Sequence, residues 1–202
     1  MNTGGRGRTR DIARAAVRAE LAQVAFELFR RQGFDRVTLD DLAQAAGVSR
    51  STLLRYFDTK EDAVLAAYDG LELKVAAALR DRPADEDDWS ALRHAMNVLL
   101  ERHRRDPAGA LATARLVGDH PGLRARQLEK QHRWRPALAQ ALADRQDTSG
   151  DPTLAQSVRA AAALDCLNVT QDYWIESDGR LDLIALLDEA FAALAPQPQP
   201  QP

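Results

Sequence analysis

Residues 38–57 constrain the fold of this chain more than any other stretch, because two short apolar periods, each opened by a capping residue, meet there at one glycine. Thr38 is followed three positions later by Asp41, a short form of the capping box that starts a helix. Leu39, Leu42, Ala43 and Ala46 then make one apolar stripe, and the small Ala43 lets a second helix cross closely. Gly47 stands where a helix ends in a left-handed turn, which glycine adopts without steric cost. Ser49 caps the next helix, and Val48 and Leu53 occupy the staple positions that fix its entry angle. The spacing predicts a helix-turn-helix.

On the second helix Leu53 and Phe57 lie one turn apart and face inward. Ser51, Thr52, Leu54 and Arg55 are left on the outer face, where a recognition helix reads base edges in a major groove. A guanidinium such as that of Arg55 binds guanine in bidentate fashion, and the hydroxyls of Ser51 and Thr52 donate or accept. Arg50, Tyr56 and Lys60 hold flanking positions suited to phosphate, with Ser49 at the start of the same helix. Thr38 and the neighbouring amides at a helix N-terminus suit a phosphate oxygen. The competing reading of these residues is an ordinary, well-capped helical hairpin.

The rest of the chain is helical in pattern, with strand-type alternation hard to find. Glycines, prolines and polar runs divide it into about nine expected helices, over residues 11–32, 39–46, 50–57, 60–80, 89–105, 108–117, 123–144, 153–176 and 181–194, with Pro136 expected to kink the seventh. The fold class is therefore all-α: a three-helix N-terminal head, residues 11–60, and a helical body, residues 61–195. Residues 1–10, with three glycines and three arginines, read as a disordered arm, and residues 196–202, alternating proline and glutamine, as a disordered tail. The helix over 60–80 runs from head into body, which makes it the expected lever between them.

Charge supports an anion-facing head. Residues 1–60 hold eleven Lys/Arg against seven Asp/Glu, and the remainder sixteen against twenty-three, for a net charge of −3. A chance fluctuation gives the same imbalance. Cys166 is the lone cysteine, which excludes an intrachain disulfide and a cysteine-based zinc site. No metal-ligand spacing links His94, His103, His120 and His132, no glycine-rich phosphate loop follows a strand, and no nucleophile elbow is present. The expectation is a non-enzyme without cofactor or metal, cytoplasmic and not membrane-bound.

Phe26-Glu27-Leu28-Phe29-Arg30-Arg31-Gln32-Gly33-Phe34, Val37-Thr38-Leu39, Asp41-Leu42-Ala43, Ala46-Gly47-Val48-Ser49 and Tyr56-Phe57-Asp58-Thr59-Lys60-Glu61 resemble the N-terminal domain of TetR-family transcriptional regulators over about residues 11–65. The resemblance implies an all-α homodimer that represses transcription from a palindromic DNA operator and is released by a small hydrophobic or acyl-CoA-like effector. It implies phosphate contacts for Thr38, Tyr56 and Lys60, and places Arg50, Ser51, Thr52 and Arg55 in or beside the groove. Where the family usually has Tyr or Phe, this chain has Leu54, which leaves an apolar contact such as one with a thymine methyl. Residues 121–130, Trp174 and residues 186–194 resemble the acyl-CoA-responsive, mycofactocin-type branch, which implies a pocket for a long-chain acyl-CoA. An activator with the same head, and a ligand-binding protein without operator function, stay open beside the repressor.

Candidate effector contacts in the body are Met96, Leu99, Leu116, Leu128, Trp134, Leu164, Cys166 and Asn168, apolar groups with one amide among them, as ligand pockets have. Plain core packing is the alternative for each. Arg124, Arg126, Arg133 and Arg135 form a basic cluster that suits an anionic head group or a solvated face. The last two helices are expected to build the dimer, through Ala160–Ala163 and the apolar Ile175, Leu183, Ile184, Leu187 and Phe191, with burial inside one chain as the alternative.

Overall fold

The computed structural model describes residues 4–146 and 150–195, and among them every regular element is helical. The chain forms two compact units, Met1–Asp69 and Gly70–Pro202.

In the first unit α1 spans Gly4–Gln32, α2 Leu39–Ala45, α3 Arg50–Leu54 and α4 Lys60–Leu65, with short 3-10 turns at Phe34–Arg36 and Ala66–Tyr68. Helix α1 begins inside the segment expected to be a disordered arm, at Gly4 rather than after residue 10. Residues 9–17 are nevertheless exposed, and its packed face starts at Leu21 and continues through Ala25, Leu28 and Phe29. Leu42, Ala43, Leu53 and Phe57 close the core of the head against that face. Helix α4 packs on α1, so the head continues past residue 60.

No single helix covers residues 60–80. The 3-10 turn follows α4, and Gly70 then adopts φ +70° as the cap of α5, Leu71–Arg80, a conformation in which an L side chain is strained. The expected single helix is thus two helices separated by a 3-10 turn and Gly70.

In the second unit α6 spans Asp88–Ala95, α7 Asn97–Arg105, α8 Pro107–Asp119, α9 Pro121–His132, α10 Arg135–Arg145, α11 Leu154–Glu176 and α12 Leu183–Ala193. Two more expected helices are each broken once, at Met96 and at Arg133–Trp134. Pro136 sits in the first turn of α10, where its missing N–H leaves no gap in the ladder. Helix α10 lies between α5 and α11, and small residues at that junction (Ala139, Ala141, Ala143, Ala160 and Ala163) are fully buried. Leu79, Leu92, Met96, Leu100, Leu138, Leu142 and Leu187 fill the core around it.

Helix α12 is pinned to α6. The Trp89 indole donates to the Phe191 carbonyl at 2.9 Å, the two rings lie 4.5 Å apart, and Arg93 pairs with Asp188 at 2.6 Å. Leu183, Leu187 and Phe191, expected on the dimer face, are therefore inside one chain. On α11 the exposed large apolar residues are Leu154, Val158, Val169 and Tyr173, which fall with Ala162 and the exposed Asp165 on one face. The expected tail, residues 196–202, lies outside the described residues.

Candidate functional site

The turn between α2 and α3 follows the local chemistry of its residues. The Thr38 hydroxyl accepts from the Asp41 N–H at 3.2 Å and donates to the Asp41 carboxylate at 2.7 Å, while the Thr38 N–H donates to the same carboxylate at 2.8 Å. These donors hold the Asp41 carboxyl below the usual aspartate range. At the other end of α2 the Gly47 N–H donates to Gln44 and the Val48 N–H to Ala43, with Gly47 at φ +66°. That pair of bonds is the Schellman closure of a helix.

Ser49 caps α3, accepting from the Thr52 N–H at 3.1 Å, and its hydroxyl lies 2.9 Å from those of both Ser51 and Thr52. The three hydroxyls form one cluster at the helix start. Leu53 and Phe57 are buried, and Arg50, Ser51, Leu54 and Arg55 are exposed, Leu54 by 39%. Helix α3 is short, ending at Leu54 with Arg55 as its cap, so the expected helix through residue 57 is cut by a turn that still leaves Phe57 in the core. Arg50 pairs across the turn with Asp40 at 3.5 Å, both side chains well exposed, so water screens the pair and leaves the guanidinium available.

Two cations depart from the sequence reading. The Lys60 ammonium donates to the carbonyls of Phe34, Asp35 and Val37 at 2.8, 3.4 and 3.3 Å and sits 4.3 Å from the Phe34 ring centroid. Its N–H groups are directed at the main chain of the turn before α2, so it ties the start of α4 to that turn. Arg14, which the sequence reading passed over, donates to the Arg55 carbonyl at 2.9 Å and lies 5.9 Å from the Tyr56 ring centroid. One turn on, Arg18 stacks 4.4 Å over Phe57 and pairs with Asp69 at 2.7 Å. An i, i+4 arginine pair on a helix otherwise rich in alanine was the available signal.

The expected effector residues differ in burial. Met96, Trp134, Leu164 and Cys166 are buried, Leu99 and Leu116 are half-buried, and Leu128 is 40% exposed. The Cys166 thiol lies 3.6 Å from the Ala190 carbonyl, and burial, helped by Asp165, pushes its pKa up, away from the reactive thiolate. Asn168 is half-buried, with its Oδ1 enclosed and without a hydrogen-bond partner. In the basic cluster Arg124 pairs with Asp172 at 2.8 Å and Arg133 with Glu129 at 2.5 Å. A surface cleft of about 290 Å³ lies instead by the start of α6, where Arg145 and Arg159 both pair with Asp88. That cleft is a charged tie between helices, unlike an apolar ligand pocket.

Comparison with known proteins follows the same division. Residues 21–67 match the family model described as bacterial regulatory proteins, tetR family, and residues 86–199 match the MftR C-terminal domain. The chain is 29% identical to the HTH-type transcriptional regulator TcmR of Streptomyces glaucescens over 191 residues, 89% of this chain and 83% of that protein. It is 29% identical to a putative mycofactocin biosynthesis transcriptional regulator of Mycobacterium tuberculosis over 182 residues, 85% of each. Among solved structures, a Thermus thermophilus TetR-family repressor in complex with lauroyl-CoA shares the fold at a TM-score of 0.54 and 24% identity, over 92% of this chain and 98% of that one.

Proposed function

Because the chain belongs to the TetR family and is thus a DNA-binding transcriptional regulator, not an enzyme, we propose that it is a dimeric repressor freed from a palindromic operator by a small-molecule effector. The observation that carries this reading is the outer face of α3, with Arg50, Ser51, Leu54 and Arg55 exposed over a buried Leu53 and Phe57. Arg55 and Leu54 read base edges, while Arg50, Ser51, Thr52 and Tyr56 flank them toward the backbone. Thr38 and Ser49 offer phosphate the N-termini of α2 and α3. The protein works in the cytoplasm, where the operator is.

The second copy docks on the outward stripe of α11, Leu154, Val158, Val169 and Tyr173, an apolar face of the kind that marks an interface. The two α3 helices then sit about 34–36 Å apart, or a multiple of that, to enter successive major grooves. The effector binds the body and favours the arrangement with the wrong spacing. Long-chain acyl-CoA is its first candidate class, supported by the match to the MftR C-terminal domain and by the lauroyl-CoA of the Thermus thermophilus repressor.

The test is fluorescence anisotropy on inverted-repeat fragments from the protein's own promoter region, against scrambled duplexes, across a salt series. Preference for one inverted repeat supports the reading. Equal binding to all duplexes, or a monomer that binds none, overturns it. A promoter-reporter assay decides between repression and activation.

A further inference from the structure

Helices α9 and α11 enclose polar atoms that the chain itself leaves unmet. Their pairing is antiparallel: Arg124 meets Asp172 at 2.8 Å, and one turn along Gln127 Nε2 meets Gln171 Oε1 at 3.5 Å. Farther on, Gln146 meets Gln156 at 3.3 Å, so α9 and α10 together run back along α11. One turn beyond Gln127 is Gln131, and one turn back from Gln171 is Asn168, so each shares a helix face with a residue of that pair. Trp174 lies one turn from Gln171 on the same helix, its ring edge-on to His103 at 5.0 Å.

Gln127, Gln131, Thr170 and Trp174 are all more than nine-tenths buried. Gln127 Oε1, both polar atoms of Gln131, Asn168 Oδ1, Thr170 Oγ1 and the Trp174 indole N–H have no hydrogen-bond partner among the described residues. Interiors meet nearly all such groups, so this many on two helices linked through Arg124–Asp172 and Gln127–Gln171 mark a place built to bond something outside the fold. The atoms comprise donors and acceptors, and none belongs to a charged side chain. Arg124 and Arg133 next to them are already paired with carboxylates. Arg135, one turn past Gln131, bonds His132 at 3.1 Å and keeps its own Nε enclosed.

We propose that Gln127, Gln131 and Asn168, with the indole N–H of Trp174, form a hydrogen-bonding site for an uncharged amide- or carbonyl-bearing part of the effector. The inference rests on the reading that the body holds an effector, and it specifies which chemistry is recognised there. An acyl-CoA would meet the site with its neutral amides and thioester carbonyl, not with its phosphates. A simple amide would meet it directly.

The experiment compares the full-length wild type with Gln127→Leu/Gln131→Leu, by thermal melting and by operator anisotropy. The probes are dodecanamide, laurate and lauroyl-CoA. Leucine removes three polar atoms that have no partner, together with the long 3.5 Å bond from Gln127 Nε2 to Gln171, so the free variant melts near or above the wild-type temperature and binds operator unchanged. Dodecanamide raises the wild-type Tm by several degrees, lauroyl-CoA acts likewise, laurate does not, and the variant loses the shifts. A variant that melts several degrees lower overturns the site, because its amides then hold the fold. So does laurate matching dodecanamide, an unaltered shift in the variant, or no shift with any probe. A probe that stabilises the wild type but leaves operator affinity unchanged supports the site and overturns the effector reading instead.

Discussion

Arg14 donates from its guanidinium to the main-chain carbonyl of Arg55, forty-one residues away in sequence and 2.9 Å away in space. The acceptor is the residue that caps α3, so the first helix of the head sets the end of the helix proposed to read DNA. Replacing Arg14 with Ala is expected to weaken operator binding about three- to tenfold, around 1 kcal/mol for an exposed charge-assisted bond, without changing which base pairs are preferred. Binding to a panel of single-base operator variants checks both halves of the statement.

Arg55→Ala is expected to cost roughly 1–3 kcal/mol of operator binding and to relax discrimination at one base pair. The same panel separates it from Arg14→Ala. If preference at every position survives, Arg55 is not a base reader.

Lys60 is expected to act on stability rather than on phosphate. Lys60→Ala removes an ammonium from three carbonyls and should lower the stability of the head by about 1–2 kcal/mol. Its operator salt dependence should stay near wild type, whereas loss of a phosphate contact would make the log–log slope shallower by about 0.9. A salt titration of the folded variant measures this.

The two apolar faces of the C-terminal helices make opposite predictions. Val169→Glu, on the exposed stripe of α11, should yield a folded monomer that no longer binds operator. Phe191→Ala, against Trp89, should instead cost about 3–5 kcal/mol of folding stability. Light scattering and thermal melting distinguish the outcomes.

Acid should loosen the head through Asp41. The Thr38 bonds lower its folded pKa, so their contribution is full above the unfolded value of about 3.9 and is lost as pH falls through the lower, folded value. Asp41→Asn should flatten the stability profile of the head at acid pH. An identical profile in the variant would show that other carboxylates dominate.

What the sequence made legible is local. Thr38 with Asp41, Gly47, and Ser49 with Thr52 act over three or four positions, and each forms the bond its spacing predicts. The destination of Lys60 was not legible, because its carbonyls lie 23 to 26 residues earlier and only the folded head brings them together. Periodicity also shows that a helix has an apolar face without showing what covers it. Helix α11 has one side against α10 and α12 and exposed apolar residues on another, so the pattern alone left burial within the chain and a dimer face as alternatives for these helices. The unmet glutamines of α9 have no sequence signal of their own, because nothing in the spacing of Gln127 and Gln131 shows that the fold buries them.

Lys60 is the sole lysine among residues 1–69, and its ammonium is already engaged by main-chain carbonyls. The remaining cationic side chains of the head are guanidiniums, which do not deprotonate in the physiological range. The positive face offered to a duplex is therefore permanent. Neither alkalinisation nor a lysine-acylating metabolite would erase that charge.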